Sequence, residues 1–165
     1  MSETSVARPL LAKYCIGYGA DLGMGGDKIL PSAIAIDQPT PYTKVGSDIV
    51  QLGGDARNLY WFKDGVLDYL YSSHLLEDFI ETKPILKEWA RVLRKGGNLV
   101  LYLPDQKVYK AYCESVNQLP NQAHKLDNFG LEYLRECLKD LPELKEIYST
   151  GIVNTYSFCL VLQKV

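Results

Sequence analysis

The chain has 165 residues, 47% of them hydrophobic and 23% charged, the balance of a globular domain with one core. A net charge of −2 and a pI near 5.7 disfavour a nucleic-acid binder, which needs clustered Lys and Arg on a phosphate backbone. Four scattered cysteines and two distant histidines form neither a disulfide frame nor a metal cluster, which suits the reduced thiols of a cytoplasmic protein. With no signal-peptide pattern and no run long enough to span a bilayer, the expectation is a single cytoplasmic domain over residues 1–165, with no membrane partner.

Taken in chain order, "PLLAKYCI" (9–16) suits a short helix with Pro9 near its start and Gly17 as its C-cap. "GADLG" reads as a brief buried strand opening onto glycines. "AIAID" (33–37) is a second strand, and "DIVQLGGDA" (48–56) a third with its own loop. "VLDYLYSS" (66–73) and "NLVLYLP" (98–104) are nearly continuous apolar runs, the mark of strands covered on both faces. Between them Ile85, Leu86, Trp89, Val92 and Leu93 recur at helical spacing, with Gly96 as the stop. Arg91, Arg94 and Lys95 read as its solvated face. Residues 105–129 form a looser segment before a helix over 130–141. Two β-rich runs, 143–152 and 155–165, turn near Val153-Asn154 and predict an antiparallel pair at a sheet edge.

Strand and connection repeated down the chain predict a Rossmann-like, doubly wound, mostly parallel α/β sheet of about seven strands. Ligands of such sheets sit beyond the C-terminal strand ends, near the switch in strand order. An acid there can accept hydrogen bonds from both ribose hydroxyls, and an acid beside a free backbone N–H can read an adenine edge. Asp37 and the Asp55-Ala56 pair stand in those places, behind glycines that let backbone approach a ligand. Asp37 could equally start a turn, and Asp55 could cap the segment after it.

The block "GGDARNLYWFKDGVLDYLYSSHLLEDF" (53–79) resembles the centre of class I S-adenosylmethionine-dependent methyltransferases of the small-molecule, type 11 group. Gly54, Asp55, Ala56, Leu59, Phe62, Asp64, Asp68, Ser72, His74, Leu76 and Glu77 match that pattern, and residues 85–105 and 124–141 resemble its later elements. The resemblance implies S-adenosylmethionine as cofactor, leaving as S-adenosylhomocysteine. It implies Asp21, Gly23 and Gly25 around the methionine part, Asp37 on the ribose, and Asp55 with the Ala56 amide on the adenine. Ser72 and His74 would face the sulfonium and the acceptor. His74 is a candidate base or a half-buried ring bonding only backbone. Residues 105–129 would form an acceptor lid, with Tyr109, Tyr112, His124 and Phe129 lining it or packing on the sheet.

The chain departs from that family in its first crossover. Only 14 residues separate Gly23 from Asp37, where about twenty are usual, so the helix between the first two strands is missing or very short. That loss would expose one flank of the sheet. It would also remove the helix N-terminus on which a nicotinamide cofactor's pyrophosphate rests, which disfavours a dehydrogenase. The leading expectation is methyl transfer to a small-molecule or glycan-like acceptor, in a pocket that is shallow or completed by a second subunit in a homodimer. The alternative is a non-catalytic binding or scaffold module on the same fold.

Overall fold

The computed structural model describes residues 2–41 and 45–165. Its seven strands are β1 (Gly19–Leu22), β2 (Ile34–Asp37), β3 (Leu52–Gly53), β4 (Leu67–Ser73), β5 (Leu93–Pro104), β6 (Leu144–Ser149) and β7 (Ser157–Lys164). They form one sheet in the order β3-β2-β1-β4-β5-β7-β6. All neighbours are parallel except β7, which runs antiparallel to both β5 and β6. The mostly parallel sheet with an antiparallel edge is the expected architecture. The order reverses at β1, where β2 and β4 flank it on opposite sides.

The helices are α1 (Glu3–Leu11), α2 (Thr82–Val92), α3 (Gln106–Ser115) and α4 (Leu131–Leu138). Helix α2 buries Ile85, Leu86, Trp89 and Val92, the positions its periodicity marks, and α4 adds Leu134 and Cys137 to the same face of the sheet. Strands β4, β5 and β7 supply Leu70, Leu99, Leu101, Leu160 and Leu162 beneath them. Each such fully buried side chain stabilises the fold by roughly 1.5–3 kcal/mol of transfer free energy.

No helix lies between β1 and β2. The flank is nevertheless covered, contrary to the expectation of an exposed sheet. Ala7 and Leu11 of α1, with Ile29 and Ala33 of the crossover loop, pack on Tyr69, Tyr71, Val100 and Tyr102. The loop is tied down by polar contacts: Asp21 accepts from the Ile29 amide (2.7 Å), Asp48 from the Lys28 amide (2.9 Å), and Asp27 from Arg8 (2.5 Å).

Three elements differ from the sequence expectation. Helix α1 starts at Glu3, because Ser2 accepts from the Ser5 amide as an N-cap, and Pro9 sits inside the helix rather than at its start. The third strand shrinks to Leu52–Gly53 at the sheet edge. The looser segment begins with a true helix, α3, whose N-cap Asp105 accepts from the amides of Lys107 and Val108. All four cysteines are free and buried, and among the described residues no helix is long and apolar enough to cross a membrane.

Candidate functional site

Strand register gathers three loops at one end of the sheet. Leu22 pairs with Ile36 and with Ser72, and Asp37 pairs with Gly53. The turn after β1, the acid ending β2, the loop after β3 and the residues ending β4 therefore meet. The Gly23 amide donates to the Ile36 carbonyl (2.8 Å), and the Gly54 amide to the Asp37 carbonyl (2.9 Å).

Two cavities open there, of about 330 and 370 Å³, both walled by Gly23, Asp37 and Leu75. The larger is bounded by Asp55, Ala56, Arg57 and Phe79. The smaller is bounded by Glu3, Gly25, Ser73, His74 and Asn121. Each lies within the range of small-molecule sites, and the shared wall sets them side by side.

Asp37 stands at the junction. Its Oδ2 accepts from the Gly25 amide (3.0 Å) and its Oδ1 from the Gln38 amide (2.7 Å). A carboxylate offers about four lone-pair positions, and the described residues take two of them. Gly23 has φ +68°, and a Cβ there would come within 2.9 Å of Leu75, so backbone must form this part of the wall.

Asp55 is half exposed and paired with Arg57 (2.7 Å), which holds its carboxyl below the usual carboxylate range. The Arg57 guanidinium also lies 5.6 Å over the Phe79 ring. The Ala56 carbonyl accepts from Trp89 Nε1 (2.8 Å), which fixes the Ala56–Arg57 peptide, and the Asp55 carbonyl accepts from the Asn58 amide (3.1 Å), which orients the peptide carrying the Ala56 N–H. Glu88 accepts from the Leu59 amide, and Arg91 donates to the carbonyls of Leu59 and Phe62. Arg91 is thus a staple for the loop, not the solvated cation its helix position implies. A Cβ on Gly54 would strike the Trp61 ring at 2.1 Å, so the loop is packed tightly from both sides.

The remaining candidates lie around these cavities in different ways. Asp21 is buried beneath the crossover loop, and burial holds its carboxyl well above the usual carboxylate range. Ser72 is buried and donates to the Leu22 carbonyl (3.1 Å); its neighbour Ser73 lines the cavity instead. His74 has φ +49°, a conformation few non-glycine residues adopt, and its backbone N–H donates a hydrogen bond to the Tyr102 carbonyl (2.9 Å). Its Nε2 is 2.9 Å from Ser157 Oγ and 3.5 Å from Glu3 Oε2. Burial pushes its pKa down to about 3, with His124 nearby adding to the effect.

In the segment after β5, Phe129 packs in the core against Tyr133. Tyr109 meets Tyr156 edge-on and lies at a tilt against His124, and Tyr112 lies at a tilt against Tyr156. Tyr109 accepts from the amide of Asn121, the member of this segment that reaches the cavity wall. Sequence reasoning missed Glu3, Asn121 and the loop staples Glu88 and Arg91. The capping pattern at Ser2 could have flagged α1; nothing local marks the other three.

Residues 20–101, half of the chain, match the methyltransferase domain family, type 11. The chain belongs to the class I S-adenosylmethionine-dependent methyltransferases. It is 33% identical over 109 residues to a demethylmenaquinone methyltransferase of Mycolicibacterium vanbaalenii, covering 61% of this chain and 46% of that one. The chain thus spans under half the length of that curated relative. Among solved structures, the PH0226 protein of Pyrococcus horikoshii superposes with a TM-score of 0.71 at 19% identity, over 98% of this chain and 89% of that one. An S-adenosylmethionine-dependent methyltransferase of Thermotoga maritima gives 0.69 at 19% identity, over 99% and 87%. The methyltransferase in the Haloferax volcanii complex with the Trm112 activator gives 0.68 at 15%, over 98% and 89%. These three likenesses carry the fold. The family's cofactor fits the residues present: acceptor capacity on Asp37, an acid beside the Ala56 amide, whose peptide the Asn58 amide orients, and a glycine wall between them.

Proposed function

We propose that this methyltransferase-family chain transfers a methyl group from S-adenosylmethionine to a small-molecule or glycan-like acceptor. The observation that carries the reading is the shared wall of Gly23, Asp37 and Leu75, with Asp55-Ala56 at one end and His74 at the other. Bound S-adenosylmethionine supplies a methyl carbon activated by its sulfonium. The chain's own task is alignment and exclusion of water. Asp37 accepts from the ribose hydroxyls, and Asp55 with the Ala56 amide reads the adenine edge. Gly23 and Gly25 present backbone to the methionine part. Ser73, His74 and Asn121 bound the space left for the acceptor. Its volume and the net charge of −2 favour a small neutral or cationic molecule over a polyanion.

The test is an acceptor-library screen with S-adenosylmethionine, read as S-adenosylhomocysteine hydrolysed to homocysteine. Acceptor-dependent homocysteine, lost in Asp37→Ala, supports the reading. A folded chain that binds S-adenosylhomocysteine but turns over nothing across small molecules and sugars leaves the binding-module alternative in its place.

A further inference from the structure

The Asp55 carboxylate is filled from within its own loop. Its Oδ1 accepts from the Arg57 backbone amide (2.9 Å) and from Arg57 Nε (3.0 Å), and its Oδ2 from Arg57 Nε (3.0 Å) and Nη2 (2.7 Å). Those contacts match the roughly four lone-pair positions of a carboxylate, so another donor finds no open acceptor there. Asp37, the other acid of the shared wall, differs: its bonds come from the backbone amides of Gly25 and Gln38. Arg57 is thus a built-in competitor for whatever amine would bond Asp55.

Both partners stand where a ligand would meet them, since Asp55 and Arg57 bound the larger cavity together with Gly54, Ala56 and Phe79. The side chains are 48% and 50% exposed, so packing locks neither in place. The bond from the Arg57 amide closes an Asx turn and keeps the carboxylate where it is, whereas the guanidinium can swing away. Two neighbours suit the guanidinium once displaced. It already lies 5.6 Å over the Phe79 ring, and Glu81 is a second acid whose charge reaches it.

We propose that Arg57 sets how tightly, and how selectively, the larger cavity takes an adenine. In the free chain its guanidinium occupies the acceptor positions of Asp55 that the exocyclic amine needs, and the base binds by taking them over. This rests on the adenine reading of Asp55-Ala56 given above. One N–H donor replaces another on Asp55, and the guanidinium turns toward water, Phe79 and Glu81. An exposed ion pair of this kind is weak, so breaking it costs ligand affinity a factor of about five or less. A base with a carbonyl oxygen in place of the amine has nothing to donate to Asp55. It leaves the pair closed.

The experiment is calorimetry of the full chain with S-adenosylhomocysteine and with S-inosylhomocysteine, whose base carries a carbonyl oxygen where adenine carries the amine. Arg57→Met removes the guanidinium and keeps an apolar stem beside Phe79. It should bind S-adenosylhomocysteine about two- to fivefold more tightly than the wild type, with no gain for S-inosylhomocysteine. In an Asp55→Ala background the same change should bring no gain, because the contested acceptor is gone. Arg57→Lys, a cation without the two-pronged fork, should fall between the wild type and Arg57→Met, and it carries the test if Arg57→Met does not fold. Unchanged or weaker S-adenosylhomocysteine binding in Arg57→Met overturns the proposal. So does an equal gain for both ligands, or a gain that survives Asp55→Ala. No heat with S-adenosylhomocysteine in any folded variant sinks the cofactor reading, whereas binding indifferent to Arg57 sinks only this one.

Discussion

The Gly25 amide donates to Asp37 Oδ2 at 3.0 Å, so the acid ending β2 closes the glycine turn that follows β1. In a chain without the first crossover helix, this bond does part of the work of shaping the turn. Asp37→Ala should remove both the loop anchor and the proposed ribose acceptor. Charge-assisted hydrogen bonds of this kind contribute about 1.5–3 kcal/mol each, so S-adenosylhomocysteine affinity should fall at least about tenfold. Amide hydrogen exchange at Gly25 should speed up in the same variant. Unchanged exchange there would show that the loop is held by other contacts.

Trp89 connects the core to the proposed adenine end by donating from Nε1 to the Ala56 carbonyl at 2.8 Å. Trp89→Phe keeps most of the apolar packing and removes the donor. The cost should be about 1–3 kcal/mol in urea unfolding, together with weaker S-adenosylhomocysteine binding. Asp55→Ala makes the contrast. Its ion pair with Arg57 is solvent-exposed and contributes about 1 kcal/mol or less, so stability should hardly change while ligand affinity drops.

Buried acids set the pH dependence of stability. Asp21 and Glu77 have folded pKa values raised by burial, so the folded chain binds more protons than the unfolded chain above the ordinary carboxylate range. Their stabilisation is complete at low pH and is lost as pH rises through the folded values. The two histidines have lowered pKa values and act oppositely: stability rises with pH up to their unfolded value near 6.5. Above that pH the acids act in the same direction as the thiols of Cys15, Cys137 and Cys159, which burial also pushes up. Urea midpoints should therefore fall as pH rises above the histidine range, by up to about 1.4 kcal/mol per pH unit for each such group. Asp21→Asn should flatten that slope, and an unchanged slope would contradict the assignment.

Much of the fold was legible because parallel strands covered on both faces leave long apolar runs, as in β4 and β5. The α2 stripe was legible for the same reason, since its buried positions repeat at helical spacing. The third strand was overextended because a two-residue edge pair carries no periodic signal. Helix α1 begins six residues before Pro9, because the cap at Ser2 starts the helix and a proline in its last turn resembles one at a helix start. At the site, the strand ends pointed to Asp37 and Asp55. The loop staples Glu88 and Arg91 were hidden, because i,i+3 charges on a helix look alike whether they face water or a neighbouring loop. Glu77 stood in the matched block, but its burial between two histidines fifty residues apart is set by tertiary packing alone.

The account turns on one adenosyl-shaped site spanning Asp37 and Asp55, and calorimetry of the full chain with S-adenosylhomocysteine tests it most directly. Saturable one-to-one binding, weakened in both Asp37→Ala and Asp55→Ala and absent with NAD, is the predicted result. A folded chain that shows no heat with S-adenosylhomocysteine, or binding indifferent to both substitutions, would contradict it.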